Sequence, residues 1–226
     1  MARVTFFGSQ NNSGTAFDPA RNIPSLANKV ILITGAAGDL GRETAIQLAR
    51  HGRPARIYVA DLPREEDAKK AIINQITHEA FGDASQTERI DSSSAKTEVC
   101  FLDLDLTSFD SINACASEFL AKEERLDILF LNAGIIRVAT GETVEGYEVH
   151  FGLNYLGHAL LSKLLVPTML HTAQQNPGID ARVVIVSSEG HAMAPKGGIH
   201  FEKLRTDCAD MHSSTLHDIL RKIILN

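Results

Sequence analysis

The sequence predicts a doubly wound α/β fold, a parallel sheet with helices on both faces. Three observations predict it. Five short apolar runs have the length and β-branched content of buried parallel strands. Helical patterns lie between them, and that alternation demands right-handed crossovers. The strand runs are Val30–Thr34, Arg56–Ala60, Val99–Leu102, Ile128–Asn132 and Val183–Ser187. The helical patterns are Gly41–His51, Glu65–Phe81, Ser108–Lys122 and Tyr147–His171.

The remaining segments read as connections. Residues 1–22 are polar and glycine-rich, a loose arm ahead of one domain over 23–226. Gly82–Lys96 is too hydrophilic to pack and reads as a surface loop. Gly190–Asp210 is turn-rich. After it, Leu216, Ile219, Leu220 and Ile223 share one face of a final helix, Thr215–Leu225, with Ser214 or Thr215 as N-cap.

Composition narrows the partners. The 226 residues are 44% apolar with a formal charge of −6, which argues against nucleic acid and against an anionic membrane surface. Cys100, Cys115 and Cys208 are odd in number and widely spaced, so they read as free thiols in a reducing compartment, with no metal site. No apolar stretch reaches the ~18 residues of a membrane span. Met1–Asn28 lacks the pattern of a secretory signal, so a cytoplasmic protein is expected.

The first strand runs into Thr34-Gly35-Ala36-Ala37-Gly38-Asp39-Leu40-Gly41. A strand, a glycine-rich turn and a helix start make a pyrophosphate site. Gly35 permits the tight turn, Gly38 lets the backbone approach phosphate, and Gly41 allows close helix–strand packing. The helix N-terminus supplies N–H groups and partial positive charge. Asp61, at the end of the second strand, accepts hydrogen bonds from ribose hydroxyls and repels a 2′-phosphate, which favours NAD. Arg64 nearby leaves NADP possible, and a plain solvated loop acid is the alternative for Asp61.

Together with later motifs, these residues resemble the short-chain dehydrogenase/reductase family over about Ile23–Ser214, closest to its fungal, retinol-dehydrogenase-like members. The later motifs are Asp105-Leu106, Asn132-Ala133-Gly134, Asn154 within Phe151–His158, and Val184–Ser188. The resemblance implies a Rossmann-type domain in which Thr34, Gly35, Gly38, Asp39, Leu40, Gly41, Asp61, Asp105, Leu106, Asn132, Ala133 and Gly134 bind the cofactor. Asp105 would hold the adenine ring; Asp103 competes for that place, and a strand-end cap is the simpler reading. Ser188 would be the catalytic serine with Ser187 its structural neighbour. Asn154 would support a water link to a catalytic lysine, against the alternative of a satisfied core amide. Asp39 stands where the family has glycine, with Gly38 one place early.

The implied activity is NAD(P)-dependent interconversion of a small-molecule alcohol and its carbonyl, with a homo-oligomer possible. The family's Tyr-x-x-x-Lys pair has no counterpart: no tyrosine follows Tyr155. Asp218 and Lys222, beside His217, keep the four-residue spacing, but an ionised Asp is a poor proton donor and a surface ion pair is the simpler reading. The resemblance also implies further C-terminal strands that are missing here, which would leave the last strand as a sheet edge. The alternatives to an active enzyme are therefore a nucleotide-binding pseudoenzyme or a truncated product.

Overall fold

The computed structural model describes residues 17–82, 97–136, 139–175, 180–187 and 201–207. Expectations for residues 83–96, Ser188, His217, Asp218, Lys222 and the helix at 215–225 lie outside the described residues. Five parallel strands form one sheet: β1 (Val30–Thr34), β2 (Arg56–Asp61), β3 (Glu98–Asp103), β4 (Ile128–Leu131) and β5 (Arg182–Ile185). Their order is β3-β2-β1-β4-β5. Chain direction across the sheet therefore reverses between β1 and β4, the switch point where such sheets open a crevice at their carboxyl ends.

Period-two alternation sorts the strand residues into two cores. Ile31, Ile33, Ile57 and Val59 pack on one face with helices α2 (Asp39–Gln47) and α3 (Glu66–Phe81). Val30, Leu32, Tyr58 and Leu129 pack on the other with α4 (Phe109–Lys122) and α6 (His158–Gln175). β1 is buried along its whole length, because it lies at the centre and is covered on both sides. β5 is the outermost strand among the described residues, and Val183, Ile185 and Val186 are exposed there.

Helix ends differ from the sequence pattern where caps decide them. Residues 17–22, within the expected arm, hold a single turn, α1 (Pro19–Asn22), capped by Asp18. α2 starts at Asp39, two residues early, because Gly38 takes the extended N-cap conformation. It continues as a π-helical turn, Leu48–Gly52, and ends where Arg53 turns left-handed at φ 51°. The helix expected from Tyr147 starts at α5 (Val149–Phe151), since the Glu148 carboxylate caps the N–H groups of His150 and Phe151. It passes through a π-helical stretch, Gly152–Gly157, into α6, which accommodates Pro167 in its interior.

Two buried polar clusters fix the sheet's amino end. The Asp127 carboxylate is fully buried, accepting from Val30 N at 2.8 Å and from Arg125 Nε and Nη2 at 2.9 and 2.7 Å. Glu123 accepts from Tyr58 Oη at 2.9 Å and from Arg56. Cys100 and Cys115 are free thiols, and burial pushes them up to about 11 and about 12.

Candidate functional site

A cleft of about 500 Å³ opens at the carboxyl ends of β1, β2 and β4, at the switch point. The glycine-rich turn forms one wall. Gly35 has φ +68°, and a Cβ there would meet Ala133 Cα at 2.8 Å. At Gly41 a Cβ would stand 2.5 Å from Gly35 O and 2.7 Å from Asn132 Nδ2. The two glycines thus let the turn, α2 and the β4 end close on one another. No side chain caps α2, so the N–H groups of its first turn stay available to a ligand.

The β4 end is locked to β1 by Asn132, whose amide donates to Thr34 O at 2.9 Å. Thr34 itself is fully buried below the cleft floor. Its hydroxyl accepts from the N–H groups of Asn132 and Ala133, both at 3.0 Å. Asn132, Ala133 and Gly134 line the cleft, as do Gly38, Asp39, Leu40 and Gly41.

Asp61 lines the opposite side. Its Oδ2 accepts from Ala37 N at 3.0 Å, and its Oδ1 accepts from Leu62 N at 2.9 Å and Arg64 Nη2 at 3.0 Å. A carboxylate takes about four hydrogen bonds, so acceptor capacity remains on Oδ2. Leu106 lines the cleft, whereas the Asp105 carboxylate caps the turn before α4, accepting from Thr107 N at 2.8 Å and Thr107 Oγ1 at 2.6 Å. Asp103 pairs with Lys69 at 2.8 Å.

Asn154 sits on the π-helical stretch, where its amide pairs with one backbone position. Oδ1 accepts from Ile135 N at 2.9 Å, and Nδ2 donates to Ile135 O at 3.1 Å. The amide thereby holds the segment after β4 along the cleft. Ser187 is exposed just past β5, and Ser188 lies outside the described residues.

One residue of the site carries no sequence signal. His158, which merely interrupts an apolar run, is buried with Nδ1 3.1 Å from Asn154 O and Nε2 2.9 Å from Thr34 Oγ1. A carbonyl can only accept, so Nδ1 carries the proton and Nε2 accepts from the threonine. Burial holds the ring below its ordinary value of 6.5, with the Asn154 bond partly opposing. The fold thus favours the neutral ring. Its contribution to stability is full above 6.5 and declines as pH falls below that value. Melting curves between about pH 5 and 7.5 should show the wild type losing more stability toward acid than His158→Gln; parallel curves would contradict this role.

Among the described residues, no helix is long and apolar enough to cross a membrane.

Comparison with known proteins agrees with this geometry. Residues 29–201 match the family model described as short chain dehydrogenase. An uncharacterized oxidoreductase of Schizosaccharomyces pombe is 39% identical over 184 residues, 81% of this chain and 49% of the relative. Mouse retinol dehydrogenase 12 is 36% identical over 180 residues, 80% of this chain and 48% of the relative. The chain therefore spans about half the length of the curated relatives it matches. The crystal structure of an uncharacterized protein from Mycobacterium paratuberculosis superposes with TM-score 0.62 at 29% identity, over 90% of this chain and 60% of that one. An NADH-dependent reductase solved with NAD shares the fold at 21% identity and TM-score 0.57, over 86% of this chain and 70% of that one. Sheet order, glycine turn and sequence agree, and the chain belongs to the short-chain dehydrogenase/reductase family, among its retinol-dehydrogenase-like members.

Proposed function

We propose that this chain forms the cofactor-binding part of an oxidoreductase that interconverts an alcohol and its carbonyl with a nicotinamide dinucleotide, NAD in preference to NADP. The observation that carries this reading is the cleft at the β1/β4 switch point. It combines an uncapped helix start, two glycines that let the turn, α2 and the β4 end close on one another, and a carboxylate at the β2 end. Those features fit the group: the first-turn N–H groups of α2 suit the diphosphate, and Asp61 Oδ2 suits a ribose hydroxyl. When bound, the nicotinamide supplies or accepts the hydride.

The protein's own residues bind and orient. Asn132 clamps the β4 end to the glycine turn, and Asn154 fixes the Ile135 backbone along the cleft wall. In this reading Ser188 donates a hydrogen bond to the substrate oxygen and polarises it. The adenine contact falls to the Asp105–Leu106 segment.

A second reading is favoured by the tyrosines. Tyr58 is buried on β2 against Glu123, Tyr147 lies under Arg205, and Tyr155 is half-exposed beside Phe151. None of the three lines the cleft. On this second reading the chain binds the dinucleotide without turning over substrate. A group positioned for proton transfer contributes ~10²–10⁴-fold, so hydride transfer without one is slow.

The test is equilibrium titration with NADH followed by its fluorescence. Saturable binding is expected, weakened about tenfold or more by Asp61→Ala, which removes charge-assisted hydrogen bonds. Alcohol-dependent NADH formation abolished by Ser188→Ala would support turnover over the second reading.

A further inference from the structure

Asp39 gives the cleft a charge that opposes its ligand. The residue opens α2 and its side chain is fully exposed, lining the cleft beside Gly35 and Gly38. The first turn of a helix carries partial positive charge that attracts anions, and here the chain supplies its own. The Asp39 carboxylate is held by Arg42 Nη2 at 3.0 Å, while Arg42 Nη1 donates to Ala37 O at 3.4 Å. Asp61 adds a second carboxylate across the cleft, and it has already engaged Arg64, the one cation among the described lining residues. The lining thus sets two carboxylates against a single guanidinium, where an anion must enter.

We propose that Asp39 is an affinity-setting residue of the cofactor cleft, its carboxylate competing with the diphosphate of an incoming dinucleotide for the positive end of α2. The proposal rests on the dinucleotide reading of this cleft. Arg42 relieves the repulsion in part, because its guanidinium, bound to both the Asp39 carboxylate and Ala37 O, sets a positive charge beside the turn. Removing the charge while keeping the shape, in Asp39→Asn, strengthens binding. Removing Arg42, in Arg42→Ala, weakens it. Since both groups reach water, ions screen the effect, which shrinks once the Debye length falls below the charge separation.

The experiment titrates NADH onto wild type, Asp39→Asn, Asp39→Gly and Asp67→Asn, with melting scans to confirm folding. Asp67 is the matched control. It is an exposed acid in the first turn of α3, paired with Lys70 three residues on, and it does not line the cleft. At about 20 mM salt, Asp39→Asn and Asp39→Gly are expected to bind about 3–10-fold tighter, as for like charges several Å apart in a water-rich site. The gain should contract toward onefold near 0.5 M salt, where screening reaches within about 5 Å. Asp67→Asn should match wild type.

Equal or weaker binding by Asp39→Asn would overturn the proposal. So would a gain confined to Asp39→Gly, which would mean shape and not charge, or a gain indifferent to salt. Binding by wild type with no change in the variants sinks this proposal alone. Absence of NADH binding in every folded variant sinks the dinucleotide reading with it.

Discussion

Asp127→Ala is expected to destabilise the protein by about 3–5 kcal/mol, the cost of removing one partner from a buried charged cluster. The carboxylate has no exposure, and three donors converge on it within 3 Å: Val30 N, Arg125 Nε and Arg125 Nη2. Lys29 Nζ stands a little farther off, at 3.7 Å. The Asp127 backbone meanwhile ties three strands: its N–H donates to Val30 O, and its carbonyl accepts from Arg182 N. Arg125 and Lys29 are partly exposed and can rehydrate, which places the effect at the lower end of that range. The Val30 N–H, at the start of a fully buried strand, cannot. Asp127→Asn should do nearly as much harm, because its amide must either leave Arg125 or turn an N–H toward Val30 N. A drop of about 3 kcal/mol corresponds to roughly 6–12 °C in Tm for a domain of this size. Asp180→Ala, which removes an exposed partner of Arg182, should melt with the wild type. Coincident melting of Asp127→Ala and wild type would show that the cluster is not a strut of the sheet.

Gly41→Ala should abolish detectable NADH binding and lower stability by about 1–3 kcal/mol, the usual range for overpacking. The constraint at Gly41 is space. Its missing Cβ would stand 2.5 Å from Gly35 O and 2.8 Å from Ala36 Cα, both backbone atoms of the glycine turn. A backbone neighbour can only give way by moving the turn off α2, which opens the wall proposed to receive the diphosphate. The third contact, Asn132 Nδ2 at 2.7 Å, belongs to the clamp on Thr34 O, so the β4 end is displaced as well. Gly38→Ala offers the comparison. Its Cβ would meet only Gly35 O at 3.4 Å, and Gly38 has φ −81°, which any residue adopts. That variant should fold like wild type. Undiminished NADH affinity in Gly41→Ala would contradict the close-packing account.

Strands and glycines were legible in the sequence because their signals are local. Val30–Thr34 was delimited correctly by its apolar run and the glycine after it, and the other strand ends fell within one or two residues. The positions of Gly35 and Gly41 followed from a strand running into a helix. What the sequence could not show is which distant group satisfies a buried polar residue. His158 pairs with Thr34 across 124 positions, and Asp127 with Val30 across 97. Neither pairing leaves a periodic trace. Asn154 illustrates the boundary: its need for partners was evident from an amide on an apolar helix, yet Ile135 as the partner emerges only once the helix turns π-helical beside the cleft. Asp39 shows the converse. Its departure from glycine was plain in the sequence, but its charge gained meaning only beside Asp61 and an already paired Arg64.

The measurement that bears most directly on this account is a calorimetric titration of NADH onto the folded 226-residue chain, with a melting scan of the same sample. A saturable one-to-one isotherm is expected, with a raised Tm in the presence of ligand and loss of both in Gly41→Ala. A chain that melts cooperatively, yet shows neither saturable heat nor any shift in Tm, would contradict it.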